Sequence, residues 1–309
     1  MASILVNYRN EKIRTQRLPG IFRGLDWDIS GQSVILVGDA GRIVKVQGMK
    51  ILALKSGTRQ NLRAVSVNQS NGTALIVGNQ GTIIQLNEDG IPNKTNPPSA
   101  ENLRAAAWNS GGNIALITGN RGTLLKYSEQ RVEAVDGGRA NLRRIAWRPN
   151  HSQALVTSNC FADEFIPSPN LFVFDAKRNS LSPVNEGRAD LIGVDWSPDG
   201  KSALVVGYDV IWHNGNIGSF DGKTVWPIEF ENKRVYPVGV SWNPLGELTS
   251  IVTATAQLGM GQGIVYLWDG KSLKPVFANS DFFFSSVAWN DEGTEMAALA
   301  SSATRTFNC

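Results

Sequence analysis

The stretch Asn102–Tyr127, NLRAAAWNSGGNIALITGNRGTLLKY, decides how the chain is read. An apolar run ends on Trp108, a turn of Asn, Ser and Gly follows, and a second run rich in Ile and Leu leads to the reversal TGNRG and a third run. Asn and Gly supply the dihedrals that tight turns need. The same order recurs along the chain. Aligned on Trp108, the other copies anchor on Trp27, Val67, Trp147, Trp196, Trp242 and Trp289, roughly 40 to 49 residues apart, which is the period of a four-stranded propeller blade.

Within each copy the early runs are nearly continuous in Val, Ile and Leu, as in sheets covered on both faces, and no stretch carries a helical period. A fourth, more polar run such as KILALKSG completes the repeat. The seventh copy stops after two runs, while the chain start, SILVNYRNEKIRTQRLPG, resembles the third and fourth runs of the third copy. The expected architecture is therefore an all-β, seven-bladed β-propeller with four-stranded blades. Residues 1–309 form one domain, and blade seven is assembled from residues 1–18 and 281–309. Joining the two chain ends in one sheet removes open edges.

The turn WSPDGK (Trp196–Lys201) and the strand end YLWDGK (Tyr266–Lys271) resemble WD-repeat propellers, over essentially the whole chain. The Gly-His pair that opens most WD repeats is absent, so the His-Ser-Trp-Asp hydrogen-bond set of that family is not expected. The phrase LRAAAW…ALITGNRGTLLKY also resembles the photosystem assembly-factor and Asp-box propellers, although the DGGxTW element of those families is missing. The resemblance implies a degenerate, WD-like propeller.

With 309 residues, 42% of them hydrophobic, the chain has material for a large core, and a net charge of +3 excludes bulk polyanion binding; a basic site must come from local clustering. The N-terminus lacks a secretory pattern. No apolar run is long enough to span a membrane. Cys160 and Cys309 form no disulfide framework and no zinc spacing. These features imply a soluble, cytoplasmic protein.

Arginine supplies the local clustering. Four residues before the anchor stand Arg23, Arg63, Arg104 and Arg143, in four consecutive copies, and eight before it stand Arg59, Arg139, Arg188 and Arg234. In a propeller these strand starts converge on one face, which also receives the loops between second and third strands, with Arg42 and Arg121. Guanidinium groups bind carboxylate and phosphate through a two-pronged fork and keep their charge at cellular pH. Pairing with Glu101, Glu186, Asp190, Glu231 or Asp281 is the structural alternative. Long loops on the same face carry Phe161 and Phe165, with Asp163 and Glu164, and then Trp212 and His213. Exposed aromatics suit partner docking.

Common catalytic patterns are missing: there is no phosphate loop, no dinucleotide fingerprint and no nucleophile near either histidine. Asp26 and Asp195, each preceding an anchor Trp, lack the partners a cation site needs. The expectation is no catalytic residue, metal or cofactor. The functional expectation is a non-catalytic scaffold that presents an Arg-rich, aromatic-flanked rim to an acidic peptide or protein partner. The alternative is a small-ligand or sugar-processing hydrolase with its pocket at the axial mouth. Nucleic-acid contact ranks lower because the net charge is mild.

Overall fold

The structure is a computed structural model that describes residues 1–95, 97–159, 168–209, 214–230, 235–255 and 262–302. Seven four-stranded antiparallel sheets make a seven-bladed β-propeller. Six sheets take consecutive strands. The seventh sets β2 (Lys12–Pro19), β1 (Ala2–Arg9), β28 (Met296–Ser301) and β27 (Phe283–Trp289) side by side in that order, so that β1 pairs with β28, from Ser3 opposite Ser301 to Tyr8 opposite Met296. The two chain ends thus complete one blade, as the truncated seventh repeat implies.

Burial follows strand position. Second strands such as β4 (Val34–Gly38), β8 (Ala74–Gly78) and β12 (Ala115–Gly119) are buried at every residue. That explains their unbroken apolar sequences: both faces of the strand are covered. Outer strands such as β14 (Arg131–Asp136) are largely exposed and read as polar or mixed, and β6 (Lys50–Leu54) is exposed along almost its whole length although mostly apolar. First strands show a third pattern. In β3 (Phe22–Trp27) and β7 (Leu62–Val67) two buried residues stand side by side, which strict alternation forbids. The cause is a one-residue register shift, a β-bulge. It falls at the position four before the anchor in all six first strands whose register is described: Arg23, Arg63, Arg104, Ile192, Val238 and Ser285.

The chain divides into two compact units, one of Phe22–Val156 with Phe172–Ser182 and the other of Met1–Ile21, Thr157–Leu171 and Pro183–Cys309. In the first, Ile35, Val37 and Ile43 of blade one pack on Leu62, Val65 and Ile76 of blade two. Blade two likewise packs on Leu103, Ile117 and Tyr127 of blade three. The anchor tryptophans add edge-to-face contacts with a third-strand aromatic of their own blade: Trp108 meets Tyr127 with ring centroids 5.6 Å apart, a favoured geometry for such rings.

In the second unit Asp195, one residue before Trp196, spans two inner strands. Its carboxylate accepts the Trp196 amide at 2.9 Å and, from the next blade, the Trp242 amide at 2.7 Å. In the first unit Asp26 does the same with Trp27 and Val67, at 2.9 and 2.8 Å. Ser66 and Ser241 make the weaker version to Trp108 and Trp289, both at 3.3 Å. In these four blades the Asp or Ser before the anchor is thus an inter-blade clip, whereas Ala107, Ala146 and Ala288 have no side-chain oxygen to make one. Among the described residues no helix is long and apolar enough to cross a membrane.

Candidate functional site

The site lies in the Phe22–Val156 unit and begins with the bulges. A bulge leaves one residue outside the ladder and re-aims its side chain. In β3, β7 and β11 (Leu103–Trp108) that residue is an arginine, with a buried neighbour on each side. Each guanidinium is then caught by the residue sixteen places on, at the end of the following strand. Arg63 Nε donates to Asn79 Oδ1 at 2.8 Å and Arg104 Nε to Asn120 Oδ1 at 3.0 Å. Arg23 uses Nε and Nη2 on the two carboxylate oxygens of Asp39, the second bond 2.7 Å long. The spacing follows from the hairpin. Leu62 stands opposite Gly78, so Asn79 emerges beside the arginine that precedes Ala64.

A second asparagine series holds the loops. Asn61, Asn102 and Asn141, two residues before an arginine, accept the backbone amides of Ala40, Gln80 and Arg121 in the preceding blade, at 3.0, 3.1 and 3.0 Å. Those three residues are left-handed, with φ of +57°, +53° and +51°, a conformation that costs energy without such support. The glycine after each is also required. A Cβ on Gly81 would lie 2.2 Å from the Ser99 carbonyl, and one on Gly122 2.0 Å from that of Gly138. Within this unit the second-to-third-strand loops therefore meet the strand starts of the next blade, as expected for one shared face.

The four arginines Arg23, Arg63, Arg104 and Arg143 come together. Arg143 Nη1 reaches across to Asn120 Oδ1 at 3.1 Å, so two guanidiniums share one neutral oxygen. Burial, then the charges of Arg23 and Arg104, push Arg63 down to about 10, although Asp39 works in the opposite sense. Burial, then Arg143 and Arg23, push Arg104 down to about 10 as well. Both stay cationic at neutral pH, but each is held against desolvation and like-charge repulsion. Among the described residues, neither Arg63 nor Arg104 has a carboxylate partner. Among the described residues their hydrogen bonds run from Nε to a neutral amide, which leaves the terminal pair of nitrogens on each open to an anion.

Arg59 and Arg139 are exposed in the connecting segments of the same unit, and Arg188 is exposed in the other unit. Arg234, Phe161, Phe165, Trp212 and His213 lie outside the described residues, as do Asp163 and Glu164. The carboxylate that reaches the array is Asp39, which sequence reading did not single out. Glu101 pairs instead with the exposed Arg121 at 3.1 Å, a contact of little energetic weight. Asn79 and Asn120 were also missed, because Asn beside Gly reads first as a turn former. The sixteen-residue interval Arg23–Asp39, Arg63–Asn79, Arg104–Asn120 is visible in the sequence once sought, and Asn159 stands at the same interval after Arg143.

No family model matches the sequence, and no curated protein matches it. Solved structures match in shape. Kuenenia stuttgartiensis hydrazine synthase is similar at TM-score 0.73 and 12% identity, over 89% of this chain and 91% of that one. A putative TolB from Agrobacterium tumefaciens matches at TM-score 0.62 and 14% identity, over 97% and 98%. The β-propeller domain of Cps50 (Swd1) from Myceliophteria thermophila matches at TM-score 0.66 and 11% identity, over 92% and 99%. At these identities the likeness is one of fold alone.

Proposed function

We propose that this chain is a non-catalytic interaction module whose arginine array receives an acidic segment of a protein partner. One observation carries the reading: Arg63 and Arg104 are clamped through Nε to neutral amides, and neither forms an ion pair with a carboxylate among the described residues. A fold gains nothing by gathering four half-buried cations around the single carboxylate of Asp39. The arrangement makes sense when the missing charge arrives with a ligand. Clamping at Nε also fixes the guanidinium plane, so the terminal fork is oriented before the carboxylate binds and less entropy is lost on association.

The reading extends to lineage and place. The chain is a degenerate WD-like propeller, supported by turns in which Asp199 caps the Lys201 amide at 3.0 Å and Asp269 caps those of Lys271 and Ser272 at 2.8 Å. A cytoplasmic setting suits a sequence with two widely separated cysteines.

Fluorescence anisotropy with a labelled Glu-rich peptide tests the array. The double variant Arg63→Gln/Arg104→Gln should bind at least about tenfold more weakly than wild type, and the wild-type affinity should fall with salt. Equal binding by the two proteins sinks the reading. So does tighter binding of a single-stranded oligonucleotide than of the peptide.

A further inference from the structure

The seven outer strands offer an internal comparison. An outer strand presents unpaired backbone groups that recruit other strands unless charge, proline or shortness prevents it. Six of the seven are protected. β2 (Lys12–Pro19) carries Lys12, Arg14 and Arg17, and β14 (Arg131–Asp136) carries Arg131, Glu133 and Asp136. β10 (Pro92–Thr95) is short and starts on proline, while β18 (Ser180–Gly187), β22 (Val225–Ile228) and β26 (Leu273–Asn279) contain Pro183, Pro227 and Pro275.

β6, sequence KILAL, has no such device after Lys50. It pairs with β5 (Ile43–Gln47) over its whole length, from Gln47 opposite Lys50 to Ile43 opposite Leu54, so its other edge is regular and continuous. Its apolar side chains stand in solvent: Ile51 is 43% and Leu52 59% exposed, and Met49 just before them 79%. Trp226 of β22 is comparably exposed, but its indole N–H is bonded to Asp221 at 2.9 Å and Pro227 follows it.

We propose that β6 is a docking edge that takes an extended segment of a partner protein, apolar at its centre and acidic at both ends, as a fifth strand of blade one. The chemistry is read from the strand and its flanks. Ile51 to Leu54 ask for apolar cross-strand neighbours. Lys50 and Lys55 are exposed at the two ends, and neither has a carboxylate partner among the described residues. A second copy of this chain is a poorer occupant. The antiparallel register that matches all four apolar residues sets Lys50 directly against Lys55 of the other copy, and like charges opposite one another destabilise a pair. Strand addition takes its affinity from main-chain hydrogen bonds and its selectivity from alternate side chains.

The probe is a labelled peptide, Glu-Glu-Val-Thr-Val-Thr-Val-Glu-Glu, beside a control of equal charge with a Gly-Ser centre, titrated against the full chain. The Val-Thr peptide should bind at least about tenfold more tightly than the control. It should slow amide exchange within residues 50–54 and be unaffected by Arg63→Gln/Arg104→Gln, which separates this edge from the arginine array. The variant Ile51→Lys/Ala53→Lys, which imitates the charged outer strands, should lose the binding. Three results overturn the proposal: equal binding of the control, no slowed exchange in residues 50–54 of the wild-type chain, or a concentration-dependent dimer that the lysine variant abolishes. The exchange measurement needs no variant and stands whether or not the lysine protein folds.

Discussion

Asp195 shows how one carboxyl serves a fold at a cost. Two backbone amides donate to it, which favours the carboxylate, yet burial outweighs them and lifts it to about 7. At low pH folded and unfolded chains both hold this proton. As pH rises from about 4 to about 7 the unfolded chain gives it up first, so the stability contributed by Asp195 declines across that window and is lost above it. Blades two and six use Ser66 and Ser241 for the same clip. Asp195→Ser should therefore keep the bond to the Trp242 amide and fold. Urea titrations at acid and neutral pH should show that the variant loses less stability across the window than wild type, by more than about 1 kcal/mol. Parallel pH profiles for the two proteins would show that the carboxyl is not the titrating group.

Arg63 and Arg104 act as parts of an element. Each is delivered by a bulge in a first strand and held by the residue that ends the second, so the hairpin itself is the clamp. Blade one carries Asp39 where the next two blades carry Asn79 and Asn120, and its arginine is held by two bonds rather than one. That difference suggests its own experiment. Asn79→Asp/Asn120→Asp should satisfy the array internally, raising the melting temperature by about 2 °C, the shift expected for on the order of 1 kcal/mol in a chain of this size. The same variant should bind the Glu-rich peptide at least about tenfold more weakly. Calorimetry and anisotropy on one preparation check both. An unchanged melting temperature with unchanged affinity would mean that the guanidiniums are not short of negative charge. Arginines at the fourth position before the anchor are legible in the linear chain. The bulges that aim them are not, because a bulge is a two-against-one count between paired strands and no single strand encodes its partner's register.

For the molecule as a whole the decisive pairing is β1 with β28. Every residue of β28 is buried, and its sequence, MAALAS, has no charge or proline to protect an open edge. Deleting residues 1–18 removes β1, which covers that edge, together with nearly all of β2, the strand beyond it. The truncated chain should aggregate, or melt well below the full protein in differential scanning fluorimetry. A monomeric truncation with an unchanged melting temperature would show that the last blade does not depend on the N-terminal strands. Taken by itself, the sequence determined the number of blades, the strand roles within each and the meeting of the two chain ends, because apolar runs, turn residues and their period are local properties repeated seven times. Only the tertiary structure decided that Asp39, Asn79 and Asn120 grip the arginines, that Asp26 and Asp195 clip neighbouring blades, and that β6 alone among the outer strands is unprotected. Each of these depends on which residues of separate strands are brought within hydrogen-bond reach, or left without a neighbour. That is settled by register and packing, and a linear pattern does not carry it.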